Sequence, residues 1–207
     1  MTNSDNEQKP DTTDNKPTFN GKVAAIAIAV SAASLTALSF STVALGAATL
    51  FILGLLTFGV WAFADEMGLE KPLVRAGMTA FIMAIFGRVL AIVGTGTAST
   101  ASAYILYALA ASISVLLWSA AFLHRENIPK ATGAVGAIAG LAPVSIFIWG
   151  HVAVGVAVVA GSTSVWTIGA TPEYFGIREA NIIDYIVAAW GLTTSWLLWT
   201  GRIVNRA

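Results

Sequence analysis

The sequence predicts an all-α, polytopic membrane protein: a bundle of six helices with both ends in the cytoplasm. Three observations carry that reading. Charged residues make up only 11% of the 207-residue chain. Long stretches carry no charge at all. The basic residues between those stretches fall almost entirely in alternate gaps. A soluble domain carries about 25% charged residues. A chain that is 57% hydrophobic, with mean hydropathy +0.77, therefore lacks the polar surface to face water. This composition excludes a soluble globular enzyme, a nucleic-acid binder and a disordered regulator. The lipid bilayer is the expected surrounding, and nucleic acid is not an expected partner.

The elements follow in chain order. Residues 1–22 are polar, hold two prolines and have no aliphatic residue after Met1, so they read as a disordered cytoplasmic tail. Val23–Phe63 then runs 41 residues without a charge, too long for one span of about 20 residues. It divides into spans at about 23–39 and 43–63, with a turn near Ser41 and Thr42. A signal peptide over Val23–Ala47 is the competing reading, and the acidic leader before it is the wrong flank for one. Further spans follow at about 76–94, 102–123, 131–151 and 182–201, and residues 202–207 form a cytoplasmic end.

Charge placement tests this division. With the tail inside, Lys9, Lys16, Lys22, Lys71, Arg75, Arg125, Lys130, Arg202 and Arg206 lie on the inner side. Arg178 alone lies outside, and Arg88 falls within a span. Such a bias places cationic loops in the cytoplasm. Tryptophan and tyrosine favour both membrane interfaces. Trp61, Trp118, Trp196 and Trp199 are expected at inner ends of spans. Tyr104, Tyr107, Trp149, Trp166, Tyr174 and Tyr185 are expected at outer ends, and only Trp190 deep inside. The inner connections Asp65–Val74 and His124–Lys130 are short. The last outer connection, about Val152–Asn181, is long. Its first part, VAVGVAVVAG, extends the fifth helix or re-enters the membrane. Its second part holds Glu173, Tyr174, Arg178 and Glu179, most of the outer polar chemistry.

Arg88 is the outstanding residue. It sits in FIMAIFGRVLAIV with no other charge nearby. Thirteen residues of helix above the inner end put it about 20 Å up, in the outer half of the hydrocarbon. An arginine there costs several kcal/mol, so it should face the bundle and have a partner. Asp184, about one turn into the last span, and His151, near the upper end of the fifth, are the candidates. Two bland readings stand beside this. Arg88 snorkels to the interface, or Asp184 is simply an acid beside a helix N-terminus. If the pair forms, it fixes helix packing or lines a solute path.

Other chemistry finds little support. With no cysteine, thiolate metal sites and cysteine nucleophiles are out. The two histidines, His124 and His151, stand about 30 Å apart along the membrane normal by helix rise. They cannot be the two axial ligands of one haem, and no cofactor or metal is expected. GxSxG, HExxH and GxxxxGK[ST] are all absent. Gly136 and Gly140 form a GxxxG for close helix approach, expected to serve internal packing. Pro143 should kink the fifth span. Ser114–Ser119 (SVLLWS) echoes Ser195–Thr200 (SWLLWT), as duplication or a shared need for an inner tryptophan would produce.

From the third span onward the layout resembles a family of uncharacterised six-helix prokaryotic integral membrane proteins. The resemblance rests on Phe86-Gly-Arg88-Val-Leu, on Arg125-Glu-Asn-Ile-Pro129-Lys before a Gly/Ala-rich helix (Gly133–Leu141), and on a last span with Asp184 near its start and Leu-Leu-Trp near its end. It implies the six-helix layout and assigns no activity or functional residue. The expected function is a non-catalytic structural or accessory subunit of a membrane assembly, with a membrane-protein partner or a second copy as company. A small transporter for protons or a small solute, using Arg88, His151 and Asp184, is the alternative. An intramembrane enzyme or cofactor carrier is the third class.

Overall fold

The computed structural model describes residues 17–39, 46–93, 97–141, 144–145 and 172–203. Helix is the only regular structure among them: α1 (Phe19–Ser39), α2 (Gly46–Met67), α3 (Pro72–Val93), α4 (Thr97–Leu123), α5 (130–141) and α6 (Pro172–Trp199). Helices α1 to α4 each contain a stretch long and apolar enough to cross a membrane. This is the build of a membrane-embedded helical protein.

Local chemistry sets the helix ends. Thr18 caps α1: its hydroxyl accepts the Gly21 N–H at 2.9 Å, the bond an N-cap residue makes to the third helical position. Gly68, at φ 90°, ends α2 in the left-handed conformation that glycine adopts without strain. Its N–H returns to the Asp65 carbonyl at 3.0 Å. Pro72 then opens α3, where its missing N–H costs nothing. Gly201, at φ 69°, closes α6. The Gly201 N–H donates to Leu198 and the Arg202 N–H to Leu197, both at 3.0 Å, which is the Schellman arrangement.

Several boundaries differ from those expected. α1 starts inside the stretch read as tail, and α2 runs on through Asp65 and Glu66. α4 begins at Thr97 rather than 102, and α6 at Pro172 rather than 182. The segment read as the second part of an outer loop is thus helical from 172. Loss of hydropathy marks where a helix stops suiting lipid. It does not end the helix, because Glu, Arg and Ala are good helix formers.

The helices form a closed ring in the order α2, α1, α6, α4, α3 and back to α2. α5 lies against α4 outside that ring. A side chain on Gly140 would meet Leu116 and the Ser112 carbonyl, and one on Gly136 would meet the Ser119 hydroxyl. The Gly136–Gly140 pair therefore serves contact within the chain. Pro143 lies outside the described residues.

Aromatic side chains fill the centre of the ring. Trp118 (α4) stacks on Trp190 (α6) at 4.6 Å between centroids and 16°. Phe63 (α2) stands edge-on to both at 5.5 Å, and to Phe122 at 6.0 Å. Offset stacks and edge-to-face pairs are the favoured arrangements of ring quadrupoles. Trp118, expected at the interface, is fully buried, whereas Trp199 is 52% exposed. The two echoing segments thus place their tryptophans in opposite surroundings.

Trp118 is held in place from α3. Its Nε1–H donates to the Val74 carbonyl at 3.3 Å, and Ser114 donates to the Gly77 carbonyl at 2.9 Å. The close approach depends on Gly77. A Cβ there would lie 2.5 Å from Trp118 Nε1, and the hydrogen-bonded ring cannot swing aside. Gly54 meets nothing within 4 Å. Gly77→Ala should destabilise the protein by about 1–2 kcal/mol despite alanine's better helix propensity. Gly54→Ala should be neutral or stabilising by up to about 1 kcal/mol. Thermal unfolding in detergent checks both.

Candidate functional site

α3 presents its core face at Val74, Gly77, Phe81, Ala84 and Ala91, all buried. The spacing of three and four residues continues through position 88, so Arg88 belongs to that inward stripe. α6 brings Asp184 to the same place. Arg88 Nη2 and Asp184 Oδ2 are 3.0 Å apart. The other carboxylate oxygen, Oδ1, accepts the Tyr107 hydroxyl of α4 at 2.5 Å. Asp184 is 2% exposed and has both oxygens engaged; the Arg88 side chain is 14% exposed.

The guanidinium is also flanked by two phenol rings. Its carbon lies 5.1 Å from the Tyr104 centroid and 5.3 Å from that of Tyr107. Ring faces attract a cation most strongly where water is excluded. Neither bland reading fits this geometry. A snorkelling arginine keeps its head in water, and this one is held by a carboxylate and two rings. An acid stabilised by a helix N-terminus sits in the first turn. Residue 184 follows the start of α6 at residue 172 by twelve positions, about 18 Å along the axis.

Below the cluster lies a cavity of about 10 Å³, bounded by Tyr107, Ser114, Trp118, Trp190 and otherwise apolar side chains. That is room for one water at most. Two buried donors near the ring centre, Arg88 Nε and Trp190 Nε1, have no hydrogen-bond partner among the described residues.

The structure thus brings Arg88 and Asp184 together. His151 lies outside the described residues. Glu173, Tyr174, Arg178 and Glu179 fall in the first turns of α6 and not in a loop. His124 stands at the far end of α4, exposed, with Nδ1 2.8 Å from the Ala120 carbonyl. Among the described residues no group of three His, Asp or Glu could hold a metal ion.

Sequence reasoning missed Tyr107, which it set at the outer interface; the residue is 3% exposed. A usable signal existed. Tyr107, Ala111, Ser114 and Trp118 recur at spacings of four, three and four, one face of a helix. That face points at α3, and its polar members bond there or to Asp184.

Comparison with known proteins returns no match: no family model, no curated protein and no solved structure resembles the chain.

Removing the Tyr107 hydroxyl leaves a buried carboxylate oxygen without its donor, a loss of about 1–3 kcal/mol. Tyr107→Phe should lower the unfolding free energy in detergent by that amount. Tyr104→Phe keeps the ring over the guanidinium and should cost less than Tyr107→Phe.

Proposed function

We propose that the chain is a six-span, non-catalytic protein of the cytoplasmic membrane with both termini inside, serving as a structural or accessory subunit of a membrane assembly. The carrying observation is the closure of the buried Arg88–Asp184 pair among the described residues. Both Asp184 oxygens are engaged, 2% of its surface is exposed, and the space beneath admits at most one water. A transport group must exchange with water or solute from at least one side. A carboxylate shielded from water and engaged at both oxygens instead holds helices together, and removing either partner of the pair leaves an unpaired charge in a low-dielectric interior.

The arrangement of the ends supports the topology. Thr18 at the start of α1 donates to Glu66 at the end of α2. Arg125, after α4, donates to the carbonyls of Met67 and Ile203. Lys22 lies over the Trp199 ring at 6.0 Å. One end of the bundle thus carries Lys22, Lys71, Arg125 and Arg202, and the positive-inside rule sets that end in the cytoplasm. The outer faces suit lipid tails or neighbouring helices, with Phe51, Phe58, Phe86, Val135 and Ile138 more than half exposed.

One observation favours the alternative of a proton or small-solute path. Arg88 Nε is buried with no acceptor among the described residues, which leaves a donor for an anion or a histidine. Reconstitution decides between the two. Liposomes holding the protein and a pH-sensitive dye should show no more proton leak than empty ones. A leak abolished by Asp184→Asn in a protein that stays folded would establish the path instead.

Topology is testable without background because the chain has no cysteine. In intact bacterial cells a membrane-impermeant maleimide should label Ser164→Cys and spare Ser4→Cys and Asn127→Cys. The reverse pattern would invert the orientation.

A further inference from the structure

The edge where α1 meets α6 carries charge and aromatic surface that neither the core nor the buried ion pair uses. The two helices run antiparallel in close register. Lys22 lies over the Trp199 ring, Ser195 donates to the Ala25 carbonyl, and a Cβ on Gly191 would meet Ile28 and Ala32. Each helix carries an exposed stripe beside this contact. On α1, Lys22, Ile26 and Val30 recur every four residues and are all exposed. On α6, Trp199, Trp196 and Leu192 recur at spacings of three and four, each about half exposed. Residues at such spacings share a helix face.

The stripes are basic and aromatic at one end and aliphatic beyond it. From Lys22 to Val30 is about 12 Å of helix, most of the roughly 15 Å of hydrocarbon in one leaflet.

Two cations stand on the aromatic end. Lys22 Nζ is 6.0 Å from the Trp199 centroid, and the Arg202 guanidinium carbon is 4.9 Å from that of Trp196. Trp196 and Trp199 are neighbours on the helix surface, so the four side chains form one row. A ring face attracts a cation without neutralising it, and both cations keep N–H donors for an oxygen anion. Neither side chain bonds a carboxylate among the described residues. Glu66, at the same end, is engaged by Thr18 on the α2 side of α1.

This order of groups matches the layers of a lipid. Tryptophan settles at headgroup level, cations beside it meet the phosphate, and aliphatic side chains next to them meet acyl carbons. A soluble anion would use the cations and leave the aliphatic stripes bare. Two uncompensated cations favour a lipid with net negative charge over a zwitterionic one.

We propose that the row Lys22, Trp199, Trp196 and Arg202 is a binding surface for an anionic phospholipid, with its headgroup on the two cations and its first acyl carbons along Ile26, Val30 and Leu192. The inference needs a membrane-embedded chain. The proposed orientation sets only which leaflet supplies the lipid.

Fluorescence quenching in bilayers tests the surface. The full chain is reconstituted in phosphatidylcholine that holds a minor fraction of either phosphatidylglycerol or phosphatidylcholine, brominated on the acyl chain close to the headgroup. Bromine quenches a tryptophan that it touches. Brominated phosphatidylglycerol should be enriched at this edge about five-fold over its phosphatidylcholine counterpart, the effect of one basic contact worth about 1 kcal/mol. The excess quenching should vanish in the double variant Lys22→Gln, Arg202→Gln and persist in Lys22→Arg. It should also vanish in Trp196→Phe, Trp199→Phe, which removes the rings that report it. If the glutamine variant does not fold, salt at about 1 M replaces it: screening within about 3 Å should remove most of the excess from the unaltered chain. Equal quenching by the two lipids would overturn the proposal. So would an excess that survives loss of both cations, 1 M salt or loss of both tryptophans. Quenching that is the same with and without the two rings for both lipids would give this face to a second copy or another protein, and would overturn it too. Maleimide labelling reads orientation separately, so failure of the topology and failure of the surface give different results.

Discussion

An arginine and an aspartate enclosed by a low-dielectric interior cannot part cheaply, and the packing of three helices follows from that constraint. Arg88 comes from α3, Asp184 from α6 and the Tyr107 hydroxyl from α4. Rotating any of the three helices breaks a bond that neither lipid nor apolar neighbours can replace. Apolar contact alone gives weak register in a membrane, because lipid tails are as apolar as leucine. The cluster supplies a charged directional term, beside the Trp118 and Ser114 hydrogen bonds to α3 carbonyls in the aromatic core beneath it.

The rest of the bundle reads as the means of bringing these groups close. Gly87 lets α3 approach α4 beside the cluster, since a Cβ there would lie 2.8 Å from the Tyr107 backbone nitrogen. Gly77 does the same one layer down, against Trp118. Gly59 and Gly191 bring α2 and α6 onto Ile28 of α1, and Ser195 donates to the Ala25 carbonyl at 2.7 Å. Small residues, short hydrogen bonds to carbonyls and a stacked tryptophan pair are the forces available where the hydrophobic effect between helices is absent.

Much of this was legible in the residues. A lone arginine in an apolar helix demands a partner, and Asp184 was one of only two candidates. The Gly136–Gly140 spacing announced a close helix contact. Other features were hidden for physical reasons. α3 is apolar on every side, so no hydropathy contrast shows which face is buried, and only the three-four spacing ending in Arg88 does. Tyrosine and tryptophan suit both an interface and a satisfied core, so Tyr107 and Trp118 were set at the membrane surface. The polar stretches 172–181 and 65–66 resemble loops to a hydropathy scale, yet their Glu, Arg and Ala are good helix formers.

A double-mutant cycle on Arg88→Gln and Asp184→Asn, read as unfolding free energy in detergent, tests the structural role of the pair most directly. Each single change should cost about 3–5 kcal/mol by stranding a charge. The double change should cost clearly less than their sum, with a coupling of about 2 kcal/mol or more. Costs that simply add, within about 0.5 kcal/mol, would contradict the account, because the two residues would then stabilise the bundle independently.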